Sequence, residues 1–532
     1  MGIKKIQIKW VPLTLFLLAA AAFLILGIVN FRSSDNLAMV QVFQPDEATQ
    51  LPFALDMIQD TTTLEQALRQ FIFYKHYYYG FPFFAYSAIV LLPLKWLNLL
   101  SNMPLTMLVL RQAVSVLPTL VALLLLVYMV DRFRTYRSIV IFLFLFLIPG
   151  TFQNSLWWHP DGMVLFLVAL VLFLLWKAEG QLNRYFYFAA AVCGILTATK
   201  LIGVFFCLAI AIYLLRFFIK TRQAKQTILS GVIFISIMVA AFLISNPFLL
   251  SEWARQDYYW MLKGQQQSLS QGFQIVYAKG LTASLPVINQ YYGSMILVFA
   301  VATAIFGIVS QKTRELSILI IAWVLPLTIY VTKFSHLQYH YLLPVAIPLL
   351  LTLSFLFPQR DTWKTSTGFS KGIRLAIATL VLVQLCLFGI QDAKTYANYL
   401  VRSQNNPRIE FYDNVQSNFE LLKENPLFIY FDSRMYLPRE ANWQTETTYN
   451  LLDYSYISAK NFDVLILDQQ RIRDYLNPNA VGIDPAQLAL SQEFFRDAKS
   501  GNILGFHLIY QDSIGLIFVS ETIFQQFFAS LK

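Results

Sequence analysis

The chain alternates long, continuously apolar runs with short polar loops, and over its last quarter gives way to short apolar runs set in ordinary polar sequence. Runs such as Leu13–Val29, Leu105–Val130 and Met163–Trp176 reach or approach the roughly 17–25 residues a helix needs to cross a bilayer. They have no solvent other than lipid. The pattern predicts about eleven spans, at 11–30, 105–130, 138–156, 162–177, 185–200, 201–219, 227–245, 291–309, 316–332, 342–357 and 374–391. Beyond Gln391 the β-rich runs Leu427–Asp432, Asp463–Asp468, Phe506–Tyr510 and Ile514–Val519, with helix-like stretches between them, predict a small α/β domain whose last two strands form a hairpin. The expected fold is therefore an α-helical polytopic membrane protein with a C-terminal α/β extracytoplasmic domain. The membrane part takes residues 1–391, with a first outward loop at 31–104 carrying juxtamembrane helices and another at 246–290; the soluble domain takes 392–532.

Composition supports the membrane assignment. Of 532 residues, 57% are hydrophobic and 13% charged, with a mean hydropathy of +0.54, against about 25% charged in soluble chains. The first span follows Lys4, Lys5 and Lys9 but lacks a small-residue cleavage site and precedes further spans, so it reads as a retained anchor. The three cysteines, Cys193, Cys207 and Cys386, lie in apolar segments and offer neither a disulfide framework nor a CxxC metal site. The net charge of +10 sits in short loops between spans, which is the positive-inside pattern and not a nucleic-acid surface.

Basic loops at Arg132, Arg134 and Arg137, at Lys177 and Arg184, at Arg216–Lys225, at Lys312 and Arg314, and at Arg360–Arg374 are expected in the cytoplasm, with the N-terminus. Phe31–Gly80, Trp157–Gly162, Asn246–Asn289 and Lys333–Tyr341 then face outward. The two sets alternate only if Phe81–Leu99 does not cross. Gly80, Pro82, Pro93 and Lys95 suit a broken re-entrant or juxtamembrane segment, the alternative being an ordinary span with a local breach of the charge rule.

Polar residues concentrate at the outward span ends, where they are costly and usually functional. Gln44-Pro45-Asp46-Glu47 offers two carboxylates for proton transfer or for orienting a substrate or metal; a solvated loop with Asp46 as helix cap is the plainer account. Trp157-Trp158-His159-Pro160-Asp161-Gly162 adds a His and a carboxylate beside an aromatic pair, Lys200 ends a run of small residues from Gly194, and Lys333–Tyr341 carries a lysine and two histidines suited to phosphate. Carboxylates in two loops and cations in two others suit transfer from an anionic lipid-linked donor to a hydroxyl.

These residues resemble the GT-C superfamily of lipid-carrier-dependent glycosyltransferases, which includes protein O-mannosyltransferases and aminoarabinose transferases of lipid A. The resemblance covers roughly residues 1–360. Asp46-Glu47 is similar to the family's first acidic signature, Pro160-Asp161 to its second, Lys75–Pro82 to the start of its juxtamembrane segment, Gly194–Lys200 with Gly203 to its small-residue run, Asn246-Pro247-Phe248 to the start of a later outward loop, and Tyr341–Pro344 to its Tyr-Leu-Leu-Pro. His340 stands where a more basic residue is usual, which shifts phosphate binding toward Lys333 or His336. The resemblance implies an inverting membrane glycosyltransferase in the inner (plasma) membrane. In it Asp46 is the base, Glu47 and Asp161 are further catalytic carboxylates and candidates for a divalent ion, and Lys75, His76, Lys200, Lys333, His336 and His340 bind donor phosphate. Trp158, His159 and Tyr339 contact sugar or acceptor. The implied partners are a polyprenyl-phosphate sugar, a lipid, glycan or protein acceptor, and membrane lipids; no cofactor beyond a divalent metal ion is implied. A lipid or solute transporter is the alternative, disfavoured by the few charges within spans and the absence of a repeat; a non-catalytic cell-envelope assembly protein is another, disfavoured by both acidic signatures.

Overall fold

Backbone amides inside a bilayer meet no water, so a continuously apolar run satisfies its N–H and C=O groups by coiling into a helix. The computed structural model describes residues 10–272, 274–276, 278–335, 337–356, 368–420, 422–438, 440–448 and 450–528, and follows that rule. His336, Lys4, Lys5, Lys9 and the part of Arg360–Arg374 before Gly368 lie outside the described residues.

The helices in chain order are α1 (Trp10–Phe31), α2 (Leu37–Phe43), α3 (Pro45–Asp56), α4 (Leu64–Ile72), α5 (Phe81–Trp96), α6 (Met103–Leu110), α7 (Leu117–Asp131), α8 (Arg137–Phe146), α9 (Pro149–Asn154) and α10 (Asp161–Lys177). They continue with α11 (Arg184–Thr199), α12 (Phe206–Thr221), α13 (Ala224–Ile244), α14 (Glu252–Gln271), α15 (Leu281–Tyr292), α16 (Ser294–Val309), α17 (Arg314–Val331), α18 (Tyr339–Leu351) and α19 (Gly368–Val401). Two compact units share them. One takes the residues up to Phe31, Phe53–Leu262 and Lys279–Tyr396; the other takes Arg32–Pro52, Lys263–Ala278 and the chain from Ala397 on.

Among the described residues, seven stretches are long and apolar enough to cross a bilayer: Trp10–Phe31, Met103–Asp131, Leu201–Thr221, Ala224–Ile244, Arg314–Val331, Tyr339–Leu356 and Leu375–Val401. The pair α15–α16, bent by 90°, makes an eighth if counted as one span. Two expected spans are corrected. The run 138–156 is broken because α8 stops at Phe146 and Pro149, which has no amide proton to give, opens α9. The run 291–309 starts at Ser294, since Gly293 adopts φ 72° and turns the chain. α5 is one unbroken helix of 16 residues with Pro93 inside it, about 24 Å long and short of a ~30 Å hydrocarbon core. The helices also differ in what covers them. α10 is buried along most of its length, whereas α13 buries only Ser230 and Phe234 and leaves Ile228, Ile235 and Ile244 exposed, a face for lipid.

The second unit holds a five-stranded sheet, β1 (Leu427–Phe431), β2 (Trp443–Glu446), β3 (Val464–Asp468), β4 (Phe506–Gln511) and β5 (Gly515–Ser520), in the order β2-β1-β3-β5-β4. β1 runs parallel to β2 and β3, and β5 runs antiparallel to β3 and β4. Alternation along the strands builds two cores. Ile429, Val464, Ile466, Ile517 and Val519 pack with Phe411 and Val415 on one face, and Tyr430, Leu465, Leu467, Leu516 and Phe518 pack with Phe494 and Phe495 on the other. At the end of β1, buried Asp432 accepts hydrogen bonds from the Tyr430 hydroxyl at 2.9 Å and the Asp468 amide at 2.7 Å, and pairs with the Arg471 guanidinium.

Candidate active site

Three chain segments of the first unit converge on one carboxylate. Asp161 is the first residue of α10 and fully buried; Gly162 behind it lets the helix start press on its neighbour, because a Cβ there would lie 2.5 Å from the Ser115 carbonyl oxygen. Lys200 follows the last residue of α11 in extended conformation, φ −155°. Its Nζ donates to Asp161 Oδ1 at 2.7 Å, and its side chain is 17% exposed. The ammonium also stands 5.1 Å above the ring of Tyr341, a cation–π contact.

His159 closes the other side. Its Nδ1 meets Asp161 Oδ2, and its Nε2 lies 2.7 Å from the Tyr79 hydroxyl. In the tautomer with the proton on Nδ1, the imidazole donates to the carboxylate and accepts from Tyr79. The ring stacks on Trp157 at 4.1 Å and lies 4.8 Å from the ring of His340 on α18. The backbone of His159 is held by Ser115, whose Oγ accepts from His159 N and donates to His159 O, both at 3.2 Å. Tyr79 is placed by a close approach: Gly80 N donates to Thr199 O at 3.2 Å, and a Cβ on Gly80 would drive deep into the Ala198 carbonyl oxygen. The loop before α5 and the end of α11 are thus pressed together by a residue with no side chain.

Both oxygens of Asp161 are engaged, one by an ammonium and one by an imidazole, so this carboxylate orients Lys200 and His159 and is not an open base. Lys200, with one of its three N–H groups spent on Asp161, is the partly exposed cation of the cluster. His159, Asp161 and His340 each offer a ligand atom, all within 4.8 Å of one another. Two imidazoles and a carboxylate are a donor set that suits a divalent transition ion.

Of the residues expected from sequence, His159, Asp161, Lys200 and His340 come together here, and Tyr339 packs at the rim, its carbonyl accepting from the Tyr292 hydroxyl at 2.7 Å. Trp158 is fully buried, its Nε1 donating to Ser87 Oγ at 3.0 Å and its ring stacked on Phe83, so its neighbour Trp157 is the indole against His159. Lys75 and Lys333 are exposed. His76 is buried and stacked on Phe53 at 4.6 Å, and burial lowers its pKa to about 4. Asp46 and Glu47 belong to the second unit, in the first turn of α3; Asp46 is exposed and Glu47 buried. Tyr79, Trp157 and Tyr341 lie inside the quoted motifs but carried no assigned role, because aromatic residues at span ends give no signal beyond interface ordering, and Ser115 lies in an apolar run.

Residues 82–330 match the model of glycosyltransferase family 87. No curated protein matches the sequence. Among solved structures, ArnT from Cupriavidus metallidurans bound to undecaprenyl phosphate shares the fold with a TM-score of 0.53 at 12% identity, over 94% of this chain and 97% of that one. The oligosaccharyltransferase of Archaeoglobus fulgidus in its apo form does so with a TM-score of 0.54 at 13% identity, over 98% of this chain and 75% of that one. The stretch similar to that family, a little under half of the sequence, contains His159, Asp161 and Lys200, and the fold shared with these two structures spans nearly all of this multi-pass membrane chain.

Proposed function

We propose that the protein takes its sugar from a polyprenyl-phosphate carrier on the extracytoplasmic side of the inner membrane and passes it, with inversion, to an acceptor hydroxyl. The observation that carries this is the partly exposed Lys200 ammonium held on a fully buried carboxylate. Similarity to a transferase crystallised with undecaprenyl phosphate supports the carrier class. Basic loops on one side and the mixed-composition tail on the other support the orientation, N-terminus inside and sheet domain outside.

In the displacement, a lone pair of the acceptor oxygen bonds to the anomeric carbon as the bond from that carbon to the phosphate oxygen breaks. The bonding electrons leave with the phosphate, which gains one negative charge. That charge needs a fixed cation more than a proton, and Lys200 supplies it, preorganised by Asp161 and the Tyr341 ring. Asp161 is a positioning residue. The acceptor proton goes to Asp46, the exposed carboxylate of the first loop, with Glu47 as its companion. Lys75, Lys333 and His340 are further phosphate contacts in this reading. No cofactor is established; His159, Asp161 and His340 would hold a divalent ion, which when bound would add positive charge for the leaving phosphate.

The test is transfer itself. Purified protein in nanodiscs, given a panel of polyprenyl-phosphate sugars and an envelope extract as acceptor, is expected to consume one donor by mass spectrometry. Consumption of none, in preparations whose fold is intact, refutes the proposal.

A further inference from the structure

Inside the first unit, where the last turn of α1, the helical turn after α6 and the short α9 come together, six buried side-chain polar atoms have no hydrogen-bond partner among the described residues. They are Asn30 Oδ1, Gln112 Nε2 and Oε1, Thr151 Oγ1, and Asn154 Nδ2 and Oδ1, in residues no more than 6% exposed. Hydrogen bonds tie the three segments together. Asn30 Nδ2 donates to Ser155 O at 2.9 Å, Ser155 Oγ donates to Thr151 O at 3.0 Å, and Arg111 Nη1 donates to Asn30 O at 2.9 Å. The Gln112 amide lies against α1, its Nε2 3.1 Å from where a Cβ on Gly27 would stand.

The backbone marks the same place. Residues Arg111–Val116 form a π-helical turn within an otherwise α-helical run, a geometry that recurs at functional sites because the extra residue per turn redirects side chains. Arg111 and Gln112 open this turn toward Asn30, and Ser115, one turn on, grips the backbone of His159. The patch is therefore tied to the Asp161 cluster by four residues of one helix. Six buried polar atoms left dry would offset a large part of a protein's net stability, so the patch holds something polar.

Its chemistry selects what. Three of the atoms are carbonyl-type acceptors, two are amide donors and one is a hydroxyl. An anion would satisfy the donors and be repelled by the acceptors; an alkyl chain would satisfy neither. Groups that donate and accept at once, ordered water or the hydroxyls of a sugar, match both. We infer that Asn30, Gln112, Thr151 and Asn154 form a subsite for a polyhydroxylated group, the sugar of the lipid-linked donor or of a glycan acceptor. The inference rests on the transferase reading for the source of that sugar.

Binding, which needs no turnover, tests it. The full chain in nanodiscs is titrated with polyprenyl-phosphate mannose and glucose, with the sugar-free polyprenyl phosphate, and with octyl α-mannoside as an acceptor-type glycoside. Variants are Asn154→Leu and Gln112→Leu, with Thr151→Val, which removes only a hydroxyl, in case the larger changes do not fold. Each folded variant is expected to weaken a sugar-bearing probe about 10-fold and to leave polyprenyl phosphate unchanged. Weakening of the phospho-sugar assigns the subsite to the donor, and weakening of the glycoside assigns it to the acceptor. Sugar affinities equal to wild type in the folded variants, with an equal or higher Tm, overturn the inference and make this a water-filled polar cluster only; so does a wild type that binds none of the sugar probes. A wild type that binds sugar through these residues but transfers none would instead refute the transfer reaction proposed above and leave the subsite standing.

Discussion

Replacing Lys200 by Met removes a charge while keeping the length of the side chain, and separates what Lys200 does for the fold from what it does for transfer. In the wild type, the ammonium is 17% exposed and 2.7 Å from a carboxylate that is fully buried. Removing one member of such a pair strands the other, a cost of roughly 3–5 kcal/mol; because His159 still contacts Asp161 Oδ2, the lower end, about 3 kcal/mol, is expected. Transfer should fall by about 10²–10³, the loss typical when one preorganised charge or donor leaves a developing anion. The decisive comparison is with the double variant Lys200→Met/Asp161→Asn. With both charges gone, stability should return to within about 1 kcal/mol of wild type, yet turnover should stay at the single-variant level. Thermal unfolding in nanodiscs and initial rates of donor consumption give the two readouts. A double variant that recovers activity along with stability would refute the electrostatic role and leave Lys200 as a structural ion pair.

Four further outcomes follow from particular residues. Asp46→Asn should abolish turnover with little change in Tm, since Asp46 is exposed; near-wild-type rates would remove it as the base. His76 has its folded pKa lowered by burial to about 4 from 6.5, so the unfolded chain binds the extra proton between those values. Its contribution, about 3 kcal/mol, is present above pH 6.5 and lost as pH falls through about 4, and His76→Phe should flatten that part of a stability–pH profile. Arg471→Met should leave buried Asp432 unpaired and cost roughly 3–5 kcal/mol, read as faster proteolysis of the sheet domain in the full chain; unchanged protease resistance would contradict the burial argument. Cysteines introduced at exposed Lys75 and Lys220 should react with an impermeant thiol reagent from opposite sides of intact cells, and labelling from the same side would overturn the proposed orientation.

Much of this architecture was legible because lipid and sheets each impose a simple rule. Continuous apolarity located α1, α12, α13 and α17 to within a few residues, and short β-rich runs located β1, β3, β4 and β5. β2, Trp443-Gln-Thr-Glu446, escaped because an edge strand with one apolar residue looks like a loop. The breaks at Pro149 and Gly293 were written in the sequence as helix punctuation but were masked by the apolar residues around them. In the site, Pro160-Asp161 and the small-residue run to Lys200 stood out by composition. Their direct pairing did not, because nothing local relates the start of α10 to the end of α11. His340 joins His159 from a distant helix, and the π turn that aims Gln112 and Ser115 leaves no mark in a run that reads as plain helix.

The contact at Gly80 constrains motion as well as shape. A tyrosine-bearing loop beside a reaction centre is an obvious mobile cover, able to swing aside for a bulky lipid and shut behind it. Here the loop's pivot is seated against the last carbonyls of α11, one residue from Lys200. Displacing Tyr79 by way of Gly80 would drag the helix end, and with it the Lys200 ammonium proposed to serve the leaving phosphate. Opening and misalignment are therefore the same movement, and a carrier that arrives along the membrane must be admitted by other parts of the bundle while this corner stays still.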